Sequence, residues 1–153
     1  MYNHEPEHYD CPFCKLAAGL IDQSSIILDD GAVFAVLALH QTEPNFGNTL
    51  VIPKTHIENL YDFPASLGEP LMRTTRAIAC ALKELTNCDG ISIRQHNEPA
   101  GSQDVWHFHL HVTPRYNNDL FYKPLKVGVV IAQEKRAAFT ARLSPLARRH
   151  LDQ

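Results

Sequence analysis

The sequence predicts an α+β domain with a largely antiparallel sheet, one long helix and a second helix at the C-terminus. Three observations carry this. Short apolar runs follow one another through turn-forming residues in the first half, without the crossover helices that parallel strands need. One long stretch, from Pro64 to about Thr86, repeats its apolar residues at helical spacing. Between Trp106 and Thr113 three histidines alternate strictly with apolar residues, which is the period of a strand with one buried face.

Length and composition bound the reading. The 153 residues suit one domain, 1–153, large enough for a core without staples. With 44% hydrophobic and 20% charged residues, the composition is that of a folded chain rather than a disordered one. A formal net charge of −3 argues against a general nucleic-acid-binding surface. No apolar run approaches membrane-spanning length, and Met1–Asp10 lacks the basic and apolar regions of a signal peptide. A cytoplasmic protein without nucleic-acid or membrane partners is expected.

In chain order, Cys11 and Cys14 come first, as a Cys-x-x-Cys around Pro12 and Phe13. A Pro-bearing turn of that spacing can aim two sulfurs at one tetrahedral metal; a redox dithiol or two incidental thiols have the same signature. Lys15–Leu20 reads as a short helix ended by Gly19. Ser25–Leu28 and Val33–Leu39 are apolar runs separated by Asp29-Asp30-Gly31, a hairpin signal. His40–Asn48 reads as a polar loop, and Thr49–Ile52 as a buried strand stopped by Pro53. His56 follows that strand end, a position that ordinarily carries a capping or surface group. In the long helix the regular part begins near Pro70, with Leu71, Ile78, Leu82 and Leu85 on one stripe. Cys80 falls in that apolar pattern, and Cys88 near the helix end. Ile91–His96 alternates as a strand, and Asn97–Ser102 is a small-residue loop leading into the histidine strand, which Pro114 should end. Asn117–Asp119 is turn-like, and Val127–Ile131 is a short apolar run. Gln133–Leu143 should be a helix interrupted by Pro145, with Arg148-Arg149-His150 a solvated tail.

The chemistry concentrates in the histidine strand. Its apolar members Phe108, Leu110 and Val112 should face the core, leaving His107, His109 and His111 on the other face, about 6.6–6.8 Å apart at Cα. One histidine on a strand is usually only a polar surface group. Three in register on an apolar ladder point to a site, since imidazole can be base, nucleophile or metal ligand near neutral pH.

His107-Phe108-His109-Leu110-His111-Val112-Thr113 resembles the His-φ-His-φ-His-φ-φ signature of the histidine triad (HIT) superfamily. Leu50-Val51-Ile52-Pro53-Lys54-Thr55-His56 resembles the family's Leu-Val-Ile-Pro-Lys-x-His segment, and Gln103-Asp104-Val105-Trp106 its lead-in to the triad. With Cys-x-x-Cys, the match runs in order from about Cys11 to Arg115, and residues 116–153 fall in a region that varies within the family. The resemblance implies a five-stranded antiparallel sheet and transfer chemistry at the α-phosphate of a nucleotide conjugate, with a purine nucleotide or conjugate as partner. By position, His109 would attack phosphorus and form a nucleotidyl-histidine intermediate. His111 and Gln103 would assist, with His40, Asn97 and Ser102 among the substrate contacts. Positive neighbours would discourage protonation of His109. The resemblance to the zinc-bearing branch implies a structural zinc ion on Cys11, Cys14, His56 and His107, two thiolates and two imidazoles closing a tetrahedron. It also implies a homodimer paired through Pro70–Thr86 and Ile91–His96, which would cover an exposed sheet edge.

Some positions depart from the family pattern. His40 lies where an acid often contacts the ribose hydroxyls, Asn48 replaces a histidine, Asp104 stands where one branch has a leaving-group serine, and Thr113 is a weakly apolar end to the signature. These bear on nucleoside and leaving group rather than on the histidine chemistry. Two other classes of function compete. One is a hydrolase whose catalytic zinc is held by His107, His109 and His111. The other is a nucleotide-binding module without turnover.

Overall fold

The computed structural model describes residues 2–122 and 128–153. Five strands form one antiparallel sheet: β1 Ile26–Asp29, β2 Val33–Leu37, β4 Thr49–Pro53, β5 Gly90–Gln95 and β6 Leu110–Arg115, in the spatial order β1-β2-β4-β6-β5. A two-residue strand β3, His40–Gln41, pairs with β7, Val129–Val130, in a small second sheet. Among the described residues three α-helices complete the fold: α1 Pro12–Ala17, α2 Gly68–Thr86 and α3 Gln133–Leu151. The α+β architecture, the five-stranded antiparallel sheet, the long helix and the C-terminal helix are as the sequence indicates. Among the described residues no helix is long and apolar enough to cross a membrane.

Both faces of the sheet are covered, which is why Val33–Leu37 is apolar throughout rather than alternating. On one face Leu110, Val112, Val51, Ala35 and Phe108 pack against Ile78, Ala81 and Leu82 of α2 and Leu143 and Ala147 of α3. On the other, Phe34, Val36, Leu50 and Ile52 pack against Phe13 and Leu16 of α1. Each of the larger of these side chains, fully buried, contributes about 1.5–3 kcal/mol relative to exposure. The long helix closes as expected, on Asn87 in the left-handed conformation at φ 51°.

Several local expectations are corrected. The first helix begins at Pro12, not Lys15, because Pro12 occupies the first turn and the Cys11 sulfur caps the Cys14 N–H. The histidine strand begins at Leu110 rather than Trp106, and it continues through Pro114 to Arg115. Pairing with β4 stops at Val112, so no ladder bond is lost at the proline; its carbonyl accepts instead from Asn45 Nδ2 at 2.9 Å. The presumed loop His40–Asn48 contributes β3. Its partner β7 belongs to the apolar run 127–131, of which Val127 lies outside the described residues. Pro145 does not break α3, because it sits on the exposed face while Leu143 and Ala147 anchor the helix. The basic tail is not free: His150 and Arg149 pair with Glu84 of α2, and the His150 carbonyl accepts from Arg76 at 3.0 Å.

One buried ion pair ties the end of β6 to the turn after it. Asp119, its side chain 3% exposed, takes a two-pronged contact from Arg115, Nε to Oδ2 at 2.7 Å and Nη2 to Oδ1 at 2.8 Å. It also accepts from Asn45 Nδ2 and from the Tyr116 and Phe121 amides. Arg115 first, then these donors, hold the carboxyl far below the usual carboxylate range. A folded-state pKa below the unfolded value means stability that is present above about pH 4 and is lost as the solution is acidified. Asp119→Ala is expected to cost about 1.5–3 kcal/mol by removing the charge-assisted hydrogen bonds of this carboxylate, and to flatten the acid limb of stability. Urea titrations of both proteins at pH 7 and at about pH 2.5, below the unfolded carboxylate value, measure this.

Candidate active site and metal centre

His107 and His109 lie on the irregular segment that runs into β6, and only His111 is within the strand. The segment is held by the Phe108 N–H, which donates to the Ile57 carbonyl at 2.6 Å, and the His107 N–H, which donates to Val105 at 2.8 Å. The alternation holds even so: Phe108, Leu110 and Val112 enter the core. The histidine face is not solvated. Phe13 of α1 stands edge-on to the His107 and His109 rings at 5.7 and 5.2 Å, leaving His107 0% and His109 4% exposed.

Hydrogen bonds set the two tautomers. His109 Nδ1–H donates to the His107 carbonyl at 2.7 Å, which leaves Nε2 as a bare lone pair. Asn48 Nδ2 donates to His111 Nδ1 at 3.3 Å, so His111 carries its proton on Nε2. The Asn48 amide is itself oriented by Thr113 Oγ1, which donates to Oδ1 at 3.0 Å. The two departures Asn48 and Thr113 thus form one chain ending on His111. Gln41, 1% exposed, supports it with all four amide capacities used, on the Ala38 and Asn48 carbonyls and the Gly47 and Asn48 amides. Gly47, at φ +119°, is required in that loop, since a Cβ would meet Leu82, Phe139 and Pro114 at 3.2–3.3 Å.

All three imidazoles resist protonation. Burial is the first cause for each, pulling His107 down to about 4 and His111 to about 3, and lowering His109. The expectation that positive neighbours keep His109 neutral is therefore corrected: desolvation under Phe13 comes first. Asp104 and the His107 carbonyl oppose it, while His96 assists.

Cys11, Cys14, His56 and His107 bring four ligand atoms within 4.8 Å of one another. Cys11 Sγ lies 3.3 Å from His107 Nδ1, and Cys14 Sγ lies 3.2 Å from His56 Nδ1 and 3.7 Å from His107 Nδ1. Donors around a tetrahedral zinc are separated by about 3.3–3.8 Å, given its bond lengths to sulfur and nitrogen. The outer nitrogens are also oriented: His107 Nε2–H donates to the Pro53 carbonyl at 2.9 Å, and His56 Nε2 meets Glu5 at 2.6 Å. This carboxylate–imidazole pattern is the usual support of a metal-binding histidine. Burial, then the Cys11 thiol, push the Cys14 thiol up to about 11. Two crowded thiols of this kind are a donor set that a divalent cation stabilises as thiolates. The residues fit a closed four-coordinate metal. His107 Nδ1 faces the cysteines, so it does not share a metal position with His109 and His111.

A cavity of about 490 Å³ opens beside the triad. Phe13, Leu16, Val36 and Leu50 give it an apolar wall, with His109, His111 and Asp104 at its polar end. That is the size and character of a small-molecule site. His40 lines it, exposed. Gln103 does not point into it: its Nε2 donates to the Glu58 and Val105 carbonyls at 2.6 and 3.1 Å, and its Oε1 accepts from the Glu98 amide. Asn97 is likewise engaged, with Gln95 and the Leu60 amide. Ser102 is exposed, and its carbonyl accepts from His96 Nδ1 at 3.0 Å.

Four residues here escape the sequence reading. The His96 ring lies 5.4 Å from that of His111, and the alternation of Ile91–His96 puts it on the same face. Arg94 is paired opposite His111 across the β5–β6 ladder. Arg136 enters the cavity from α3, donating to Ser25 Oγ at 3.1 Å. Glu5 comes from the N-terminal arm. No local sequence signal marks the last two.

Comparison with known proteins is consistent with this geometry. The HIT domain model matches residues 21–118. Protein hit of Bacillus subtilis is 38% identical over 107 residues, covering 70% of this chain and 72% of that protein. Adenylylsulfatase HINT3 of Arabidopsis thaliana is 29% identical over 114 residues, covering 74% of this chain and 56% of the relative. The crystal structure of a zinc-bound histidine triad family protein from Mycobacterium smegmatis superposes with a TM-score of 0.73 at 31% identity, covering 92% of this chain and 97% of that one.

Proposed function

The chain belongs to the HIT domain family, and from that premise we propose that it hydrolyses a nucleotide conjugate, of phosphoramidate or dinucleoside polyphosphate type, at its α-phosphate. One observation carries the reading: His109 presents an unprotonated Nε2, with its other nitrogen tied to a backbone carbonyl, in the wall of a cavity of nucleotide size. In this mechanism the purine nucleoside occupies the apolar part of the cavity. The Nε2 lone pair forms a bond to phosphorus as the bond to the leaving group breaks, and the leaving group takes a proton from solvent. Water then attacks phosphorus, the N–P bond breaks, and the nucleoside monophosphate leaves. His111 Nε2–H donates to a phosphate oxygen throughout, stabilising charge as it develops. His40 and Ser102 are rim contacts to the substrate. Gln103 and Asn97 act at one remove, as positioning residues for the loop that carries Ser102 and Asp104.

Cys11, Cys14, His56 and His107 would hold a structural zinc ion. A filled tetrahedron leaves no position for water, so what the ion supplies is a cross-link between α1, the end of β4 and the triad segment. The reading is supported by an adenylylsulfatase among the relatives and by the zinc-bound structural neighbour. Four free cysteines suit a reducing compartment, the cytoplasm. The chain is read as one domain, 1–153, because α3 packs into the same core as the sheet and α2.

The test is hydrolysis of an adenosine 5′-phosphoramidate by the purified protein, with and without chelator. AMP release is expected. No release from that substrate or from a dinucleoside polyphosphate would overturn the proposal in favour of binding without turnover.

We also propose that the chain forms a homodimer. Among the described residues the outer edge of β5 pairs with no strand, Ile93 on it is 49% exposed, and Met72 on α2 is 55% exposed. Analytical ultracentrifugation at micromolar concentration should give twice the mass of the chain; the mass of a single chain rejects it.

A further inference from the structure

A second cavity, of about 220 Å³, lies across the ridge made by His40, Asn48 and His111, which line both. Its other walls include Thr42, Arg94 and Phe121. His40 of β3 and Gly128, next to β7, lie close together on its wall, where a Cβ at Gly128 would be 3.2 Å from that of His40. None of the described lining residues is a carboxylate.

Arg94 is the unusual member. Its Nε is buried with no hydrogen-bond partner among the described residues, and its guanidinium rests on the Phe121 ring at 4.5 Å. Arg115 stacks over the same ring at 4.3 Å, but its charge is answered by Asp119. Among the described residues no carboxylate answers Arg94 in this way. Burial first, with the Arg115 charge contributing, pulls the Arg94 pKa below its ordinary value. A cation in that condition on a cavity wall is one whose missing acceptor comes from outside the chain. Around it stand an imidazole, an amide and a hydroxyl, from His40, Asn48 and Thr42. A guanidinium with hydrogen-bond donors around it and no carboxylate among the described lining residues is a phosphate-binding set.

We propose that this cavity takes a second phosphate of the nucleotide, other than the one His109 attacks, with the Arg94 guanidinium as its counter-charge. The inference rests on the nucleotide reading above. Among the substrates of that reading it favours nucleotides carrying two phosphates, the second either next along the 5′ chain or on the ribose.

Calorimetric titration of the full chain with AMP, ADP and adenosine 3′,5′-bisphosphate tests it and separates the two sources. One of the two nucleotides that carry a second phosphate should bind at least about tenfold more tightly than AMP, the gain expected of one desolvated charge-assisted contact. ADP as the tighter ligand identifies a chain phosphate, and the 3′,5′-bisphosphate a ribose phosphate. In Arg94→Gln the ratio between that ligand and AMP should fall to about two or less, while Arg94→Lys, which keeps the charge and loses the fork, should retain part of it. If neither ligand outbinds AMP, or if the advantage survives in Arg94→Gln, the inference is wrong and the hydrolase reading stands. If none of the three nucleotides binds, the nucleotide reading has failed and the inference with it.

Discussion

His109→Ala should lose turnover by a factor on the order of 10⁴–10⁶, the scale on which removal of a covalent nucleophile is felt. Neither of the other two triad histidines can replace it. His107 turns Nδ1 toward the cysteines and donates from Nε2 to Pro53, while His111 has Nδ1 occupied by Asn48 and carries a proton on Nε2. Bound nucleotide and bound metal should change little, because the apolar wall and the four ligands are untouched. Rapid acid quench of the wild type should trap a nucleotidylated protein in a single turnover, and the variant should show none. A variant that still hydrolyses at a comparable rate would instead mean direct attack by water, with the imidazoles in a supporting part.

Cys14→Ser should empty the metal site and destabilise the fold together. The wild type purified without chelator should carry close to one zinc per chain, and the variant little. Metal held at a thousand times its dissociation constant adds about 4 kcal/mol to stability. At about 2–4 °C per kcal/mol for a chain of this length, the melting temperature should fall by roughly 8–16 °C. The fall should be reproduced in the wild type by a strong chelator and reversed by added zinc. Wild-type protein without zinc by elemental analysis, or a variant that melts with the wild type, would dispose of the structural metal. The location explains why the effect should reach the active site. His107 and His109 are joined by a 2.7 Å hydrogen bond, and Phe13, which sits between the two cysteine ligands in sequence, packs on both rings.

Much of this molecule is legible in order along the chain. The two periods, strand and helix, place the sheet and α2, because a residue's face follows from its position within an element. The triad is legible for the same reason: alternation assigns Phe108, Leu110 and Val112 to one side and the histidines to the other even where the segment is not a regular strand. Cys-x-x-Cys is legible as a pair, and the separate His56 and His107 join it only through the family pattern. Boundaries were less legible. Nothing local says that pairing with β4 stops at Val112, which is what lets Pro114 stay in β6, nor that Pro145 lies on the exposed side of α3.

The sequence by itself determined which side chains are chemically able and which face each takes, since both depend on residue type and short-range period. Tertiary structure decided what each is free to do. Gln103 looks like a substrate contact, yet its amide is used by three backbone groups brought from Glu58, Glu98 and Val105. Asn48 and Thr113 look like separate departures, yet they form the hydrogen-bond chain that sets the proton on His111. Arg94 looks like an ordinary strand residue until β6, Phe121 and the β3–β7 sheet enclose it. The reason is the same in each case: hydrogen-bond partners and burial are supplied by segments distant in the chain, and these set the tautomers and lower the pKa values on which the chemistry depends.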